Sequence, residues 1–484
     1  MSPSRTDSWN AAMGVSPGAL DLTIPASAIG GTIPAALRGG RMFSNGPGWT
    51  RIGDRTAHPF DGHGYMRSFT LLPDGSCRLR AAFVQTPSYR VEREAGRLVH
   101  RGLATNASPY FWKNIPRTPA RNVANTTVIR RGDRLLAGWE AGAPYALDPD
   151  TLETHGEEDF GGVIAGAATL AHMRRDATRG RLTLCSVGMG RDTTFTFREL
   201  DDADRVVTSR VVEVGGMVFT HDYGLAPSWY VLGGNPLRLK PLEMARALAG
   251  AGTMLHAISP DGARPGTLHL VPRSGDGPLR TVTLPEPVFI VHFGNAFERE
   301  GDLIVDICAL DAFEFGEEFG YQGPDRPFDP ALSEARGPQR LLRVTVPAGS
   351  DTATWERLSP HGVDFPRFHP DHEGVPTPRL FGATRRDTRF SDPFDSIIGV
   401  DLLDPEHPAA LWTAGPDAFV GEPLFAPDPA HPEQGHVLTL VSDGLAHQTT
   451  LVVLDASALD AGPVARVPMP LLPIAFHGEW EAPT

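Results

Sequence analysis

An all-β fold built by radial repetition of small antiparallel sheets, a β-propeller, is the architecture this chain predicts, and three observations predict it. Its 484 residues exceed what one ordinary hydrophobic core organises, so the chain needs either several domains or one domain that grows by repetition. Glycine and proline are abundant, 52 and 45 residues, and scattered rather than clustered, which marks many turns between short strands. Helical periodicity is scarce, which argues against a long parallel βαβ sheet. A propeller suits such a chain better than a sandwich because radial repetition lets a sheet protein grow.

Taken in order, residues 1–20 read as a flexible N-terminal tail and residues 21–484 as a single domain. Met66–Leu72 and Cys77–Val84 flank Pro73-Asp74-Gly75 and predict a hairpin. Residues 241–249 are the exception to the β pattern, with proline at the start, good helix formers within and Gly250 at the end. That helix carries Leu242, Met244, Ala245 and Leu248 at helical spacing. It either caps the sheet core or forms an apolar lip at a substrate entrance or membrane surface. Val288–Phe293 and Leu303–Leu310 predict buried strands, and His436–Ser442 with Thr449–Leu454 predict a second hairpin. No Trp-Asp dipeptide marks the blades, so the repeats have diverged.

Composition excludes several classes of function. A formal net charge of −14 argues against nucleic acid and against electrostatic docking on anionic lipid. No apolar run approaches the roughly 20 residues of a membrane-spanning helix. Three distant cysteines, Cys77, Cys185 and Cys308, predict a reducing compartment, and with no signal-like opening the cytoplasm is the expectation. Lys113 and Lys240 are the only lysines, and neither sits in a phosphate-binding loop.

Several motifs fail. Gly14-Val15-Ser16-Pro17-Gly18 matches a nucleophile elbow, but proline after the serine has no N–H to donate to an oxyanion. His369-Pro-Asp371-His372-Glu373 has the residue types of a metal site but reads as a solvated loop, with no adjacent strand to fix ligand geometry. Four other histidines lie at or near the ends of apolar strands: His172 after an Ala/Thr/Leu run, His221 in Phe-Thr-His-Asp, His292 in Val-His-Phe-Gly-Asn and His477 in Phe-His-Gly. Singly, each reads as a satisfied buried histidine rather than a ligand.

Read together with further motifs, these settings resemble the carotenoid cleavage oxygenases, apocarotenoid- and stilbene-cleaving members included. The motifs are Gly40-Arg-Met-Phe-Ser-Asn45-Gly46-Pro47, His58-Pro-Phe60-Asp61-Gly62, Ala124-Asn125-Thr126-Thr127, Trp139-Glu140 and Gly421-Glu422-Pro423. They occur in this order from about Ile33 to Trp480. The resemblance implies an all-β, seven-bladed propeller, with loops and short helices capping one face over an axial metal site. It implies one iron(II) per chain held by His172, His221, His292 and His477, with dioxygen as co-substrate. Glu140, Asp364 and Glu422 would take the second ring N–H of three of these histidines, fixing tautomer and ring plane. Asp364 is a methylene shorter than the glutamate usual there, and Ser44 replaces a frequent arginine.

The implied reaction is oxidative scission of a conjugated C=C bond to two carbonyl products. Four neutral imidazoles leave iron(II) its full charge and, in an octahedral frame, two open positions, whereas four would close a tetrahedral zinc site. Thr126 matches a threonine that crowds one open position, which implies a gating role. Stilbene-cleaving members place a lysine where this chain has Trp139, which favours an apolar apocarotenoid over a phenolic stilbene. Phe111, Trp112 and Trp139 are the expected substrate contacts. Cleavage of phenolic stilbenes and a non-oxidative isomerase or hydrolase on the same iron propeller are the alternatives. No protein partner is implied, and the 241–249 helix is the expected place of any peripheral membrane contact.

Overall fold

The computed structural model describes residues 3–483 apart from 116–120, 276, 312–336, 391–392 and 405. Seven antiparallel sheets follow one another along the chain as the blades of a propeller. The second to seventh blades begin, at the axis, with strands Thr127–Arg131, Arg174–Asp176, Tyr223–Leu225, Phe289–Arg299, Val363–Arg367 and Leu424–Asp428. The first blade is closed by the C-terminus: strand Gly478–Glu481 pairs antiparallel with Arg41–Ser44, Met42 lying opposite Trp480. Among the described residues no helix is long and apolar enough to cross a membrane.

Side chains alternate across a strand, so a blade packed on both faces needs apolar residues at successive positions. In the second blade Val128 and Leu135 enter the core shared with the first blade, with Phe43 and Met66. Their neighbours Ile129 and Leu136 enter the core shared with the third, with Leu182 and Leu184. The same arrangement recurs between every adjacent pair of blades, back to the seam where Leu71 and Leu79 of the first meet Leu438 and Leu451 of the seventh. These cores explain why the strands read as short continuous apolar runs. The two predicted hairpins form, as His63–Leu71 with Cys77–Phe83 and as His431–Asp443 with Gln448–Asp455.

The tail expected over residues 1–20 is not loose. Residues Pro3–Gly14 form a helix, α1, and Leu20–Ile24 is the outermost strand of the first blade. Arg5 and Trp9 of α1 are buried. The Arg5 guanidinium donates to the carbonyls of Pro416 and Pro393 at 2.8 and 2.9 Å, and Trp9 packs edge-on against Phe419. A short polar helix is marginal by itself in water; α1 is stabilised by contacts with residues some four hundred positions away, which no local pattern reveals.

Above the axis lies a cap made by long connections. One runs between the first and second blades and contains helix α2, Pro87–Ala95. The other belongs to the fourth blade and contains helix α3, Pro241–Leu248, with a small sheet of Val218–Phe219, Asn235–Leu239 and Ile258–Pro260. The two meet where the Asn114 side chain donates to the Gly250 carbonyl at 3.0 Å. Helix α3 does not cap the sheet core with its apolar stripe: Leu242 is 71% and Leu248 60% exposed, and small Ala247 is the residue it buries.

His269, in strand Thr267–Pro272 of the fourth blade, is buried with Nδ1 3.1 Å from the Thr281 hydroxyl. Burial lowers its imidazole to about 4, so the unfolded chain binds a proton below about pH 6.5 that the folded one refuses. Its stabilising effect is complete above that pH and is lost as pH falls toward 4, on the order of 3 kcal/mol. The unfolding free energy of His269→Gln should therefore fall less than that of the parent chain between pH 7.5 and 4.5. Equal losses in the two chains would show that His269 is not the acid-sensitive group.

Candidate metal centre

The four histidines singled out in the sequence converge. One ring nitrogen from each of His172, His221, His292 and His477 lies within 4.8 Å of all the others, and the Nε2 atoms of His172 and His221 are 3.1 Å apart. Each is delivered by the axial strand of a different blade. His172 and His221 stand two residues before strands Arg174–Asp176 and Tyr223–Leu225, His292 lies within Phe289–Arg299, and His477 immediately precedes Gly478–Glu481. Local packing fixes these approaches. The Thr127 hydroxyl donates to the Ala171 carbonyl at 2.6 Å, and a Cβ on Gly138 would lie 2.5 Å from that same carbonyl. Only glycine at 138 lets the His172 segment come so close.

Three of the rings are backed by carboxylates contributed by the remaining blades. His221 Nδ1 is 2.6 Å from Glu140, His292 Nδ1 is 2.5 Å from Asp364, and His477 Nδ1 is 2.9 Å from Glu422. The shorter Asp364 therefore does reach its histidine. A carboxylate on Nδ1 holds the proton there and leaves the Nε2 lone pair facing the common point. His172 has no such close partner, its Nδ1 lying 3.9 Å from Asp222.

Burial governs the protonation of His477 and His172, whereas the Glu140 carboxylate raises His221 against it. Burial lowers the His477 imidazole to about 4 against the opposing pull of Glu422. It lowers His172 well below its ordinary value, helped by the other three imidazoles. Burial works the other way on Glu422, but Arg367 and His477 together hold that carboxyl at about 2. Both histidines are thus neutral at pH 7 and able to donate a lone pair.

The residues fit a metal ion. The Nε2 of His292 is buried without a hydrogen-bond partner, an arrangement costing about 1–3 kcal/mol if nothing satisfied it. Imidazole nitrogens sharing one ion at about 2.1 Å stand roughly 3–4 Å apart, close to the span seen here.

Charged side chains outside the expected set of histidines and backing carboxylates brace the ligands. Arg174 donates to Asp222 at 2.7 Å, to Glu373 at 3.1 Å and to the Phe293 carbonyl at 3.1 Å. Asp222 in turn accepts the Phe293 N–H at 2.9 Å, so one ion pair ties together the segments carrying His172, His221 and His292. Arg367 grips Glu422 through two hydrogen bonds, of 2.8 and 3.0 Å. Phe365 is another addition, its ring 5.3 Å from that of His292 and 5.1 Å from that of His477. The signal for Phe365 and Arg367 was adjacency to Asp364; for Arg174 it was the basic pair that follows His172.

The 369–373 stretch differs from the solvated loop expected. Strands Val363–Arg367 and Arg379–Thr384 flank it, His369 is buried, and Glu373 joins the Arg174 network. Thr126 is buried, its hydroxyl donating to Asn125 Oδ1 at 3.0 Å, and its N–H donates to the Gly138 carbonyl just before Trp139 and Glu140. Trp139 is buried. Phe111 and Trp112 lie outside, half exposed, on the surface beside α3. Ser44 lies directly across from buried Arg67, whose guanidinium donates to the Pro473 carbonyl at 2.6 Å on the segment leading to His477.

Residues 17–482 match the family described as retinal pigment epithelial membrane protein. The apocarotenoid-15,15'-oxygenase of a Synechocystis strain is 30% identical over 464 residues, covering 93% of this chain and 92% of that one. A chloroplastic carotenoid cleavage dioxygenase of rice is 31% identical over 541 residues, covering 95% and 88%. The solved structure of the cobalt-substituted Synechocystis oxygenase superposes with a TM-score of 0.89 at 28% identity, over 99% of both chains.

Glu140 contacts His221 from a partly exposed position, which makes it the cleanest carboxylate to test. Glu140→Gln should weaken affinity for a divalent metal by about 10- to 100-fold, measured by competition with a chelator, without moving the unfolding temperature of the metal-free protein.

Proposed function

The chain belongs to the retinal pigment epithelial membrane protein family and is a carotenoid-cleavage-type dioxygenase; from that premise we propose that it binds one iron(II) per chain and cleaves a C=C bond of an apolar apocarotenoid to two carbonyl products. The observation that carries the reading is the convergence of four imidazole nitrogens within 4.8 Å, three of them oriented by carboxylates at 2.5–2.9 Å. His172, His221, His292 and His477 hold the iron. When bound, iron(II) supplies the activation of dioxygen, and both oxygen atoms end in the two carbonyls, so no external reductant is required.

The protein's own share is positioning and exclusion of water. The four imidazoles offer their Nε2 lone pairs, and Glu140, Asp364 and Glu422 keep the Nδ1 protons in place. Phe365, set against His292 and His477, gives the substrate's polyene an aromatic surface beside the metal. Thr126, hydrogen-bonded across to Gly138 near Glu140, limits access to the metal. Lys113 and Lys240 are both exposed, Lys113 lying over the Tyr110 ring. A phenol-binding ammonium beside the histidines is therefore not provided by either lysine, which favours the apolar substrate over a hydroxystilbene.

An apolar substrate has to be collected from lipid, and the surface beside the cap suits that task. Tyr110, Phe111, Trp112, Leu242 and Leu248 are each at least 50% exposed, in two segments that touch at Asn114 and Gly250. We read this as the peripheral membrane contact; with a net charge of −14 it suits zwitterionic rather than anionic lipid. The cytoplasm is the compartment this reading assumes, and Cys77, Cys185 and Cys308 are all free and buried.

Metal content and oxygen uptake test the central reading. Iron-reconstituted protein should hold about one iron per chain and convert an apocarotenoid to two carbonyl products with one O2 consumed per bond cleaved. His292→Ala should lose both iron and activity. Absence of specific iron binding would overturn it, whereas bound iron with no O2 uptake and 18O-labelled product from water would favour a hydrolase. A Leu242→Asp, Trp112→Ser double variant should bind phosphatidylcholine vesicles several-fold less and raise KM for vesicle-borne substrate, with kcat unchanged.

A further inference from the structure

Two of the three backed histidines rest on glutamates, Glu140 and Glu422, but His292 rests on an aspartate one methylene shorter. The closest of the three contacts is nevertheless the aspartate's, at 2.5 Å, so the protein makes up the missing length elsewhere. Part of the answer is backbone. The pairing of strand Val363–Arg367 with its neighbour shifts register between Asp364 and Arg367, and Phe365 takes the left-handed conformation with φ of 52°. A non-glycine residue is held there only when its surroundings demand it.

The other part is Gln339. Its side-chain amide donates to Asp364 Oδ2 at 2.9 Å, while Oδ1 accepts from His292 and from the Phe365 N–H at 2.8 Å. Gln339, Asp364 and His292 are each 5% exposed, so water does not substitute for any of these partners. The approach is built in: a Cβ on Gly362 would lie 3.0 Å from the Gln339 carbonyl oxygen and 2.8 Å from Pro338 Cβ. Glycine there admits the Gln339 segment against the start of the Asp364 strand. Glu422, by contrast, is held by the Arg367 guanidinium. A neutral amide orients a carboxylate without cancelling its charge, so Asp364 keeps its full polarising effect on His292.

We propose that Gln339 is a positioning residue of the metal centre: its amide holds Asp364 in the orientation that lets the short carboxylate reach His292, and so sets the affinity and ligand field of the metal. The inference rests on the metal-binding reading above. Cobalt(II) is the probe, titrated into the metal-free full chain against a chelator while its visible absorption is recorded. Gln339→Leu should weaken cobalt binding about tenfold and shift the absorption bands, leaving the unfolding temperature of the metal-free protein nearly unchanged. In an Asp364→Ala background the same substitution should add less than twofold, because the group it acts through is gone.

Gln339→Met, which keeps chain length without the amide, should reproduce Gln339→Leu. Unaltered affinity and spectrum in both variants would overturn the proposal, as would an equal loss with and without Asp364. Failure of both variants to fold would assign Gln339 to the scaffold and overturn it too. Failure of the parent chain to bind cobalt would instead overturn the metal-centre reading itself.

Discussion

The organising constraint is that seven blades meet at one axis, and the side chains they send there are polar. Four imidazoles come from the first, third, fourth and fifth blades, and three carboxylates from the second, sixth and seventh. Each blade has one representative. No two neighbouring blades could shift without separating a ring from its carboxylate or a nitrogen from the common point. The apolar cores between blades hold the strands close enough for this assembly to form.

Polar groups so deeply placed are costly unless paired, and most of the charged groups around the axis are paired. Arg174, Asp222 and Glu373 form one group, Arg367 and Glu422 another, and Asp364 and Gln339 a third. These pairs serve less as a source of net stability than as a means of orientation. A hydrogen-bonded carboxylate has one good position, and a ring bonded to it has one good plane. Rings fixed in this way hold their geometry without further rearrangement, which is what the proposed metal binding would require.

The rest of the molecule follows from what must reach this point. The axial strands are covered on both faces by neighbouring blades. The cap carries its large apolar side chains outward at Phe111, Trp112, Leu242 and Leu248, the surface proposed above to meet lipid. The chain's two lysines stay on the outside.

What the sequence by itself determined was the strand-turn rhythm, the two hairpins and the short helix near 241. All are local signals, because glycine and proline break the chain at turns; the four histidines stood out as a set only through the family resemblance, since a polar ring at the end of an apolar run is by itself an ordinary buried residue. The three carboxylates were legible through motifs around them, although no spacing linked Asp364 to His292. Tertiary structure alone decided the rest. Helix α1 exists because Arg5 finds carbonyls at Pro393 and Pro416, and α3 turns its apolar stripe outward because its small Ala247 is what the cap accommodates. Arg174, Gln339 and Phe365 matter through partners tens to hundreds of residues distant. Such contacts form only when the blades close into a ring, and no local pattern encodes closure.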